Sequence, residues 1–321
     1  MRAPILFLAA LGACATPRDA GVEANERLAE AASRRGDWTV AADLWHRVYL
    51  ADELKNPRAC LETSRALAEL GDPDSAEALL RDGLKRFPLN AALHELHGHV
   101  LEETGWRRAA EASYVKALEL QPGLVFSLMG LGRVRLHLGL EIAAIPPLQR
   151  LVELDPTPES LRLLTQAAQK ASEHVIAYDA YLHLFDVTKG TLEELIEAGG
   201  LGLSPDLHEL RRASAPVCEA WLTRVLEIDP QYTRAHVLLG SYRTLAGDED
   251  GAVERLIRAL ETDPACVEAI LDLAALQLRR AEFEIARELL EQAEELAEDE
   301  IMQARLQILL SRAEELNGQG D

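Results

Sequence analysis

Residues 91–124 read AALHELHGHVLEETGWRRAAEASYVKALELQPGL, and this window decides the fold. Counted from Ala91, position 8 is Gly98, 15 is Gly105, 20 is Ala110, 24 is Tyr114, 27 is Ala117 and 32 is Pro122. No part of it alternates apolar and polar residues with the period of two that a half-buried strand requires. It reads as two antiparallel helices. Small side chains at positions 8 and 20 let the helices cross closely, and the bulky residue at 24 fills the space against a neighbour. A glycine near position 15 permits the turn, and the proline at 32 stops the second helix.

Outward from this window the pattern recurs. Pro88, Pro122 and Pro156 are spaced by 34 residues, as are Pro230 and Pro264, and the last four close the endings LELQP, LVELDP, LEIDP and LETDP. Residues 125–158 supply Gly132, Gly139, Ala144, Leu148, Leu151 and Pro156 at the same positions. Residues 233–266 supply Gly240, Gly247, Ala252, Leu256, Ala259 and Pro264, and 57–90 supply Ser64, Gly71, Ala76, Leu80, Gly83 and Pro88. Residues 22–55 keep Ala29, Gly36, Ala41, Trp45 and Val48, and 267–300 keep Ala274, Ala286, Leu290 and Ala293, both without the proline. A fixed period of this length and ending resembles the tetratricopeptide repeat family. The resemblance implies an all-α fold, an α-solenoid of antiparallel helix pairs wound as a right-handed superhelix. It also implies a protein-binding scaffold and no catalysis. One repeat cannot bury its own apolar face, so neighbours bury it for one another.

The expected organisation is an N-terminal array of four repeats over 22–158, degenerate helix pairs over 159–232, a C-terminal repeat pair over 233–300, and a capping helix and tail over 301–321. The segment VTKGTLEELIEAGGLGLSPD breaks the period near 188–205 and reads as a short helix plus a flexible turn. A further pair is expected at about 206–213 and 216–229. Pro146-Pro147 falls inside a second helix, where a late start or a kink is expected. The last helix, about 301–316, has acidic and Gln faces and is expected to cap the stack.

In the N-terminus, MRAPILFLAALGACATPRD, one basic residue, Arg2, precedes an apolar run from Ala3 to Leu11, and small residues follow before Cys14. That run is far short of the ~20 residues a membrane-spanning helix needs, so residues 1–13 read as a signal peptide. Leu11-Gly12-Ala13-Cys14 resembles the lipobox of bacterial lipoproteins. By that resemblance Cys14 is the lipidation site and 14–21 a tether; each buried acyl methylene contributes ~0.8 kcal/mol to anchoring. Ala15 follows Cys14 where an Asp would mark inner-membrane retention, so the expectation is an outer-membrane lipoprotein facing the periplasm. The alternative is an ordinary secretory signal and a secreted or periplasmic module that binds peptide or glycan. An enzyme or metal-protein subunit is a third reading.

A net charge of −21 repels phosphate backbones and argues against nucleic-acid binding. Asp248 to Glu300 alone holds 17 acidic and 5 basic residues. Cys60, Cys218 and Cys266 show no metal spacing and read as isolated thiols. His94-Glu95-Leu96-His97 is not HExxH, and both histidines fall where repeats pack, so no metal or cofactor is expected. Gly130-Leu131-Gly132 lacks the third glycine and the preceding strand of a dinucleotide loop. The resemblance places the ligand surface on the concave face, at first-helix positions 2, 5, 9, 12 and 13. There stand Arg58, Arg65, His99, Phe126, Met129, Arg133 and His137, a partly basic and partly apolar strip. Arg65, His99 and Arg133 are expected in one row, suited to a partner segment with carboxylates and an apolar anchor.

Overall fold

The computed structural model describes residues 18–204 and 211–317. The signal peptide, Cys14 and Pro205 lie outside these residues, and so does the tether apart from the backbone of its last residues. Among the described residues there are helices and no strands. They are α1 (Arg18–Arg35), α2 (Trp38–Ala51), α3 (Pro57–Glu69), α4 (Pro73–Arg86), α5 (Ala91–Glu103), α6 (Arg107–Leu120), α7 (Val125–His137), α8 (Glu141–Leu154), α9 (Pro158–Lys170), α10 (His174–Val187), α11 (Leu192–Leu201), α12 (Arg211–Ile228), α13 (Thr233–Ala246), α14 (Glu249–Thr262), α15 (Val267–Arg279), α16 (Phe283–Leu296) and α17 (Glu300–Asn317). They form two compact units, 1–163 and 164–321, with the division inside α9.

In the first unit, α1/α2, α3/α4, α5/α6 and α7/α8 are antiparallel pairs, and α3, α5 and α7 touch side by side. Asn56, Asp72 and Asn90 each accept a backbone N–H three residues on, capping α3, α4 and α5. Between the helices of each pair sits a glycine with positive φ: Gly36 at 75°, Gly71 at 75°, Gly105 at 83° and Gly139 at 68°. No side chain is tolerated there without strain. The contact glycines serve a different need. A Cβ on Gly98 would lie 2.8 Å from the Tyr114 ring, and Gly130 of the next repeat meets the same ring from the other side. Tyr114 is 2 % exposed, clasped between the two backbones. Leu148 presses on Gly132 in the same way.

Helix α8 has no late start and begins at Glu141. It runs without interruption through Pro146 and Pro147. Pro147 cannot donate to the Ala143 carbonyl one turn back, and that oxygen accepts instead from Arg135 Nη1 at 2.8 Å. Glu111 holds the same guanidinium at 3.0 Å. The lost backbone bond is replaced from the facing helix.

In the second unit, α11/α12, α13/α14 and α15/α16 pair, with α17 packed on α15 and α16. The turn conformation that glycine provides at Gly247 (φ 80°) is taken by Ser172 (φ 59°) and Ala281 (φ 61°). Of the pair expected at about 206–213 and 216–229, residues 206–210 lie outside the described residues. From Arg211 onward there is no break at 214–215, since α12 is one helix through Pro216. Cys218, Trp221, Leu222 and Val225 form a buried stripe at helical spacing, and keeping it continuous outweighs one missing backbone bond. The glycine-rich stretch is also tighter than a flexible turn. Thr191 and Glu194 form a reciprocal cap that starts α11. A Cβ on Gly199 would come within 2.5 Å of Leu222, and Tyr242 Oη donates to the Gly199 carbonyl at 2.7 Å.

Candidate functional site

The first helices α1, α3, α5 and α7 line one face of the first unit, and the expected ligand strip lies along it. Its cations arrive with partners. Arg58 Nη2 donates to Glu30 Oε1 at 2.6 Å, from α3 back to α1, and its guanidinium lies 5.4 Å from the Trp45 ring centroid. Arg133 grips Glu102 with two parallel bonds of 3.1 and 3.2 Å, from α7 back to α5. Arg65 pairs with Glu62 at 3.1 Å and His99 Nδ1 stands 3.6 Å from Glu103, each within its own helix. Exposed pairs of that kind contribute about 0–1 kcal/mol and open readily.

Glu102 is the hub that sequence reasoning missed. Besides both Arg133 bonds it accepts from Tyr114 Oη at 2.8 Å. Burial, then the Glu102 charge, pushes the Tyr114 phenol far up, so it stays protonated and donates to Glu102. Glu95 makes a second crossing, accepting from the Ser127 backbone at 3.1 Å and its hydroxyl at 2.7 Å. These acids look like diluents of a basic strip in sequence. In three dimensions they tie one first helix to the next.

Between α5 and α7 a cleft of about 300 Å³ is lined by His99, Glu102, Glu103, Arg107, Arg133, Val134 and His137. It gathers His99, Arg133 and His137 of the expected strip. Arg58 lines a separate cleft with Glu30, Ser33, Arg34, Trp45 and Glu62. Phe126 is 75 % exposed near the start of α7, with Met129 half-buried one turn on, and neither reaches the cleft of His137. The side chains of Arg107 and His137 have no ion-pair or hydrogen-bond partner among the described residues. Arg107 was not singled out from sequence. Its signal is an Arg-Arg pair at the start of α6, directly after Trp106, which is 69 % exposed.

The histidine cluster disperses. His94 Nε2 lies 3.0 Å from the Pro88 carbonyl, while His97 Nδ1 lies 3.0 Å from Ser113 Oγ and Glu95 is spent on Ser127. His236, at the same position of residues 233–266, makes the corresponding contact, 3.0 Å from the Pro230 carbonyl. A histidine at repeat position 4 thus holds the proline corner before it. Burial, opposed by Glu77, lowers the His97 pKa. Among the described residues no group of three or more His, Cys, Asp or Glu could hold a metal ion. Cys60 and Cys218 are buried, Cys266 is half-buried, and all three are free thiols pushed up by burial.

No curated protein matches the chain. Among solved structures it is similar to the pilF protein of Pseudomonas aeruginosa, at 18% identity and TM-score 0.49, over 72% of this chain and 99% of that one. It is also similar to the C-terminal part of a TPR repeat-containing protein from Cytophaga hutchinsonii, at 16% identity and TM-score 0.48, over 77% and 98% of the two chains. A tetratricopeptide repeat protein from Parabacteroides merdae is 17% identical with TM-score 0.42, over 79% and 98%. A family model described as Tetratricopeptide repeat matches residues 26–91 and 61–123.

Proposed function

From the premise that the chain is a tetratricopeptide repeat protein, and so a scaffold for protein–protein interaction, we propose that it is an envelope adaptor. In this reading a lipid on Cys14 holds it at the outer membrane, facing the periplasm, and the inner face of α5 and α7 holds a segment of a partner protein. Tetratricopeptide repeats are in general non-catalytic scaffolds, which fits a chain whose residues are consumed by helix packing. The observation that carries the reading is the cleft between α5 and α7. Arg107 and His137, both without partners there, and the exposed Phe126 near the start of α7 offer a carboxylate grip and a separate apolar anchor. The anchor rests on Leu11-Gly12-Ala13-Cys14 after a short apolar run. No described helix is long and apolar enough to cross a membrane, so the lipid carries the attachment in this reading.

Crosslinked pull-downs from cells test it, comparing the native chain with Arg107→Glu/Phe126→Ser and with Cys14→Ser. A specific partner should be lost with the first variant at unchanged helicity. The second should fail to take up a labelled fatty acid and leave the membrane fraction. A Cys14→Ser protein that still pellets and is processed normally would overturn the lipid anchor. A native chain that takes up no labelled fatty acid would favour the secreted or periplasmic module for peptide or glycan.

A further inference from the structure

Of the second helices, α2, α4, α10, α14 and α16 each follow a carboxylate: Asp37, Asp72, Glu173, Asp248 and Glu282. An acid suits that place. It can accept an unpaired backbone N–H, as Asp72 and Asp248 do, and it meets the positive end of the helix dipole. The third and fourth pairs depart from this together. Trp106 stands before α6 and Leu140 before α8, neither with a side-chain cap. Helix α6 then opens on Arg107 and Arg108, where the dipole disfavours cations. None of the other six helices named opens on an arginine or lysine. The departures share one surface. Glu111 of α6 lies 3.6 Å from Arg108 and 3.0 Å from Arg135 of α7. Arg135 in turn donates to the carbonyl of Ala143, the residue after Ile142. Trp106 is 69 % exposed, Ile142 70 % and the Arg108 side chain 70 %.

Residues that weaken a helix start and gain little inside the chain point to a contact outside it. We propose that this turn edge is a second docking surface, taking a partner protein's segment with carboxylates on either side of a large apolar side chain. The charges on the edge select it. Arg107 and Arg108 can each grip a carboxylate with two parallel bonds. The acids beside them do not compete, since Glu111 is committed to two arginines and Glu141 is half-buried. Trp106 and Ile142 receive the apolar group, and Trp and Arg are the residues that most often dominate binding energy. The net charge of −21 repels an acidic partner at a distance, so the apolar pair supplies part of the hold. A bilayer surface also attracts exposed Trp and Arg, but its place is wrong. On the lipid reading Cys14 is four residues before α1, and this edge lies at the far ends of the first helices. A first helix of 13 residues such as α3 spans ~20 Å. Trp106, Arg108 and Ile142 do not line the cleft between α5 and α7, and only Arg107 is shared with it.

The test puts a photoreactive phenylalanine analogue at Ile142 of the full chain in cells and sequences the crosslinked segment by mass spectrometry. That segment is expected to carry carboxylates on both sides of an apolar residue. A labelled synthetic copy of it should bind the native chain and lose at least ~tenfold in affinity to Trp106→Ser and to Arg108→Glu. Exchanging its carboxylates for amides should weaken it as much. Phe126→Ser, which strikes only the apolar anchor beside the cleft, should leave its affinity unchanged, so the two surfaces fail separately. Fatty-acid labelling reads the lipid anchor independently of both. Circular dichroism should show every variant as helical as the native chain, and Arg108→Gln carries the charge test if Arg108→Glu loses helicity. A crosslink to lipid, to a second copy of this chain or to a segment poor in acids overturns the proposal. So does the absence of any product, or unchanged affinity for the Trp106→Ser chain.

Discussion

Helices α5–α8 and helices α10–α12 solve one packing problem with different residues. In α5–α8 a large side chain drops onto bare backbone: Tyr114 between Gly98 and Gly130, and Leu148 on Gly132. In α10–α12 rings meet rings. Trp221 lies 5.7 Å from Tyr178 and 5.1 Å from Phe185, the latter edge-on, and Tyr181 stacks 5.4 Å from Phe185. Both regions bury a phenol whose hydroxyl donates to a glutamate at 2.8 Å, Tyr114 to Glu102 and Tyr181 to Glu197. The repeat pattern is therefore one solution to close helix crossing. In α11–α12 the glycine contact persists, with Leu222 against Gly199, and the aromatic contacts of Trp221 with Tyr178 and Phe185 are added to it.

If each region really closes on its own ring, the largest effects come from removing one. Tyr114→Ala and Trp221→Ala should each cost about 3–5 kcal/mol, the usual range for deleting a buried aromatic. Hydrogen exchange should locate the two losses separately, at α5–α7 for the first and α10–α12 for the second. Spread of either loss across both regions would break the comparison.

A middle-sized effect tests how each region tolerates proline. Arg135→Met leaves the Ala143 carbonyl of α8 without its donor and Glu111 without its cation. The expected loss is about 1–3 kcal/mol, read as a lower denaturant midpoint with an unchanged slope. Restoring a backbone donor with Pro147→Ala in the same background should recover part of it. No recovery would mean that Arg135 acts through Glu111 alone.

The smallest effect concerns the turns. The four turns within helix pairs of the first unit use glycine, Glu53 and Leu54 being left-handed only between pairs. In the second unit Ser172 and Ala281 take the left-handed conformation in such turns. Ala281→Gly should stabilise by up to about 1 kcal/mol, since left-handed strain of about 1–2 kcal/mol exceeds glycine's entropic cost. Gly105→Ala should destabilise by about 1 kcal/mol. Thermal midpoints moving in opposite directions sharpen the contrast; movement in one direction removes it.

Much of this was legible in the chain because it depends on local spacing. The helix pairs, the position-8 glycines and the proline stops were placed by counting from Ala91, and the structure keeps them. The final helix was found too. Other features were misjudged where a local rule met a tertiary counterweight. The late start expected at Pro146-Pro147 is absent, and Arg135, twelve residues before Pro147, supplies the donor that the Ala143 carbonyl lacks. The short helix expected in the glycine-rich stretch is present as α11, and its close packing was not legible: Gly199 admits Leu222, and Gly202 just after the helix admits Tyr242.

The sequence by itself determined the period, the two-helix unit, the turn glycines and the acidic balance, since each follows from neighbours within one repeat. It also set which residues stand side by side, because a period of 34 returns every position to the adjacent helix. Only the tertiary structure decided which charges are spent and which are available. Glu30 holds Arg58 across 28 residues, Glu102 holds Arg133 across 31 and Glu95 holds Ser127 across 32, while Arg107 and His137 are left open. Each of those cations had several carboxylates within one repeat's reach. The choice among them depends on how closely two first helices approach and on which side chain is already held by a buried tyrosine, and both are settled by packing.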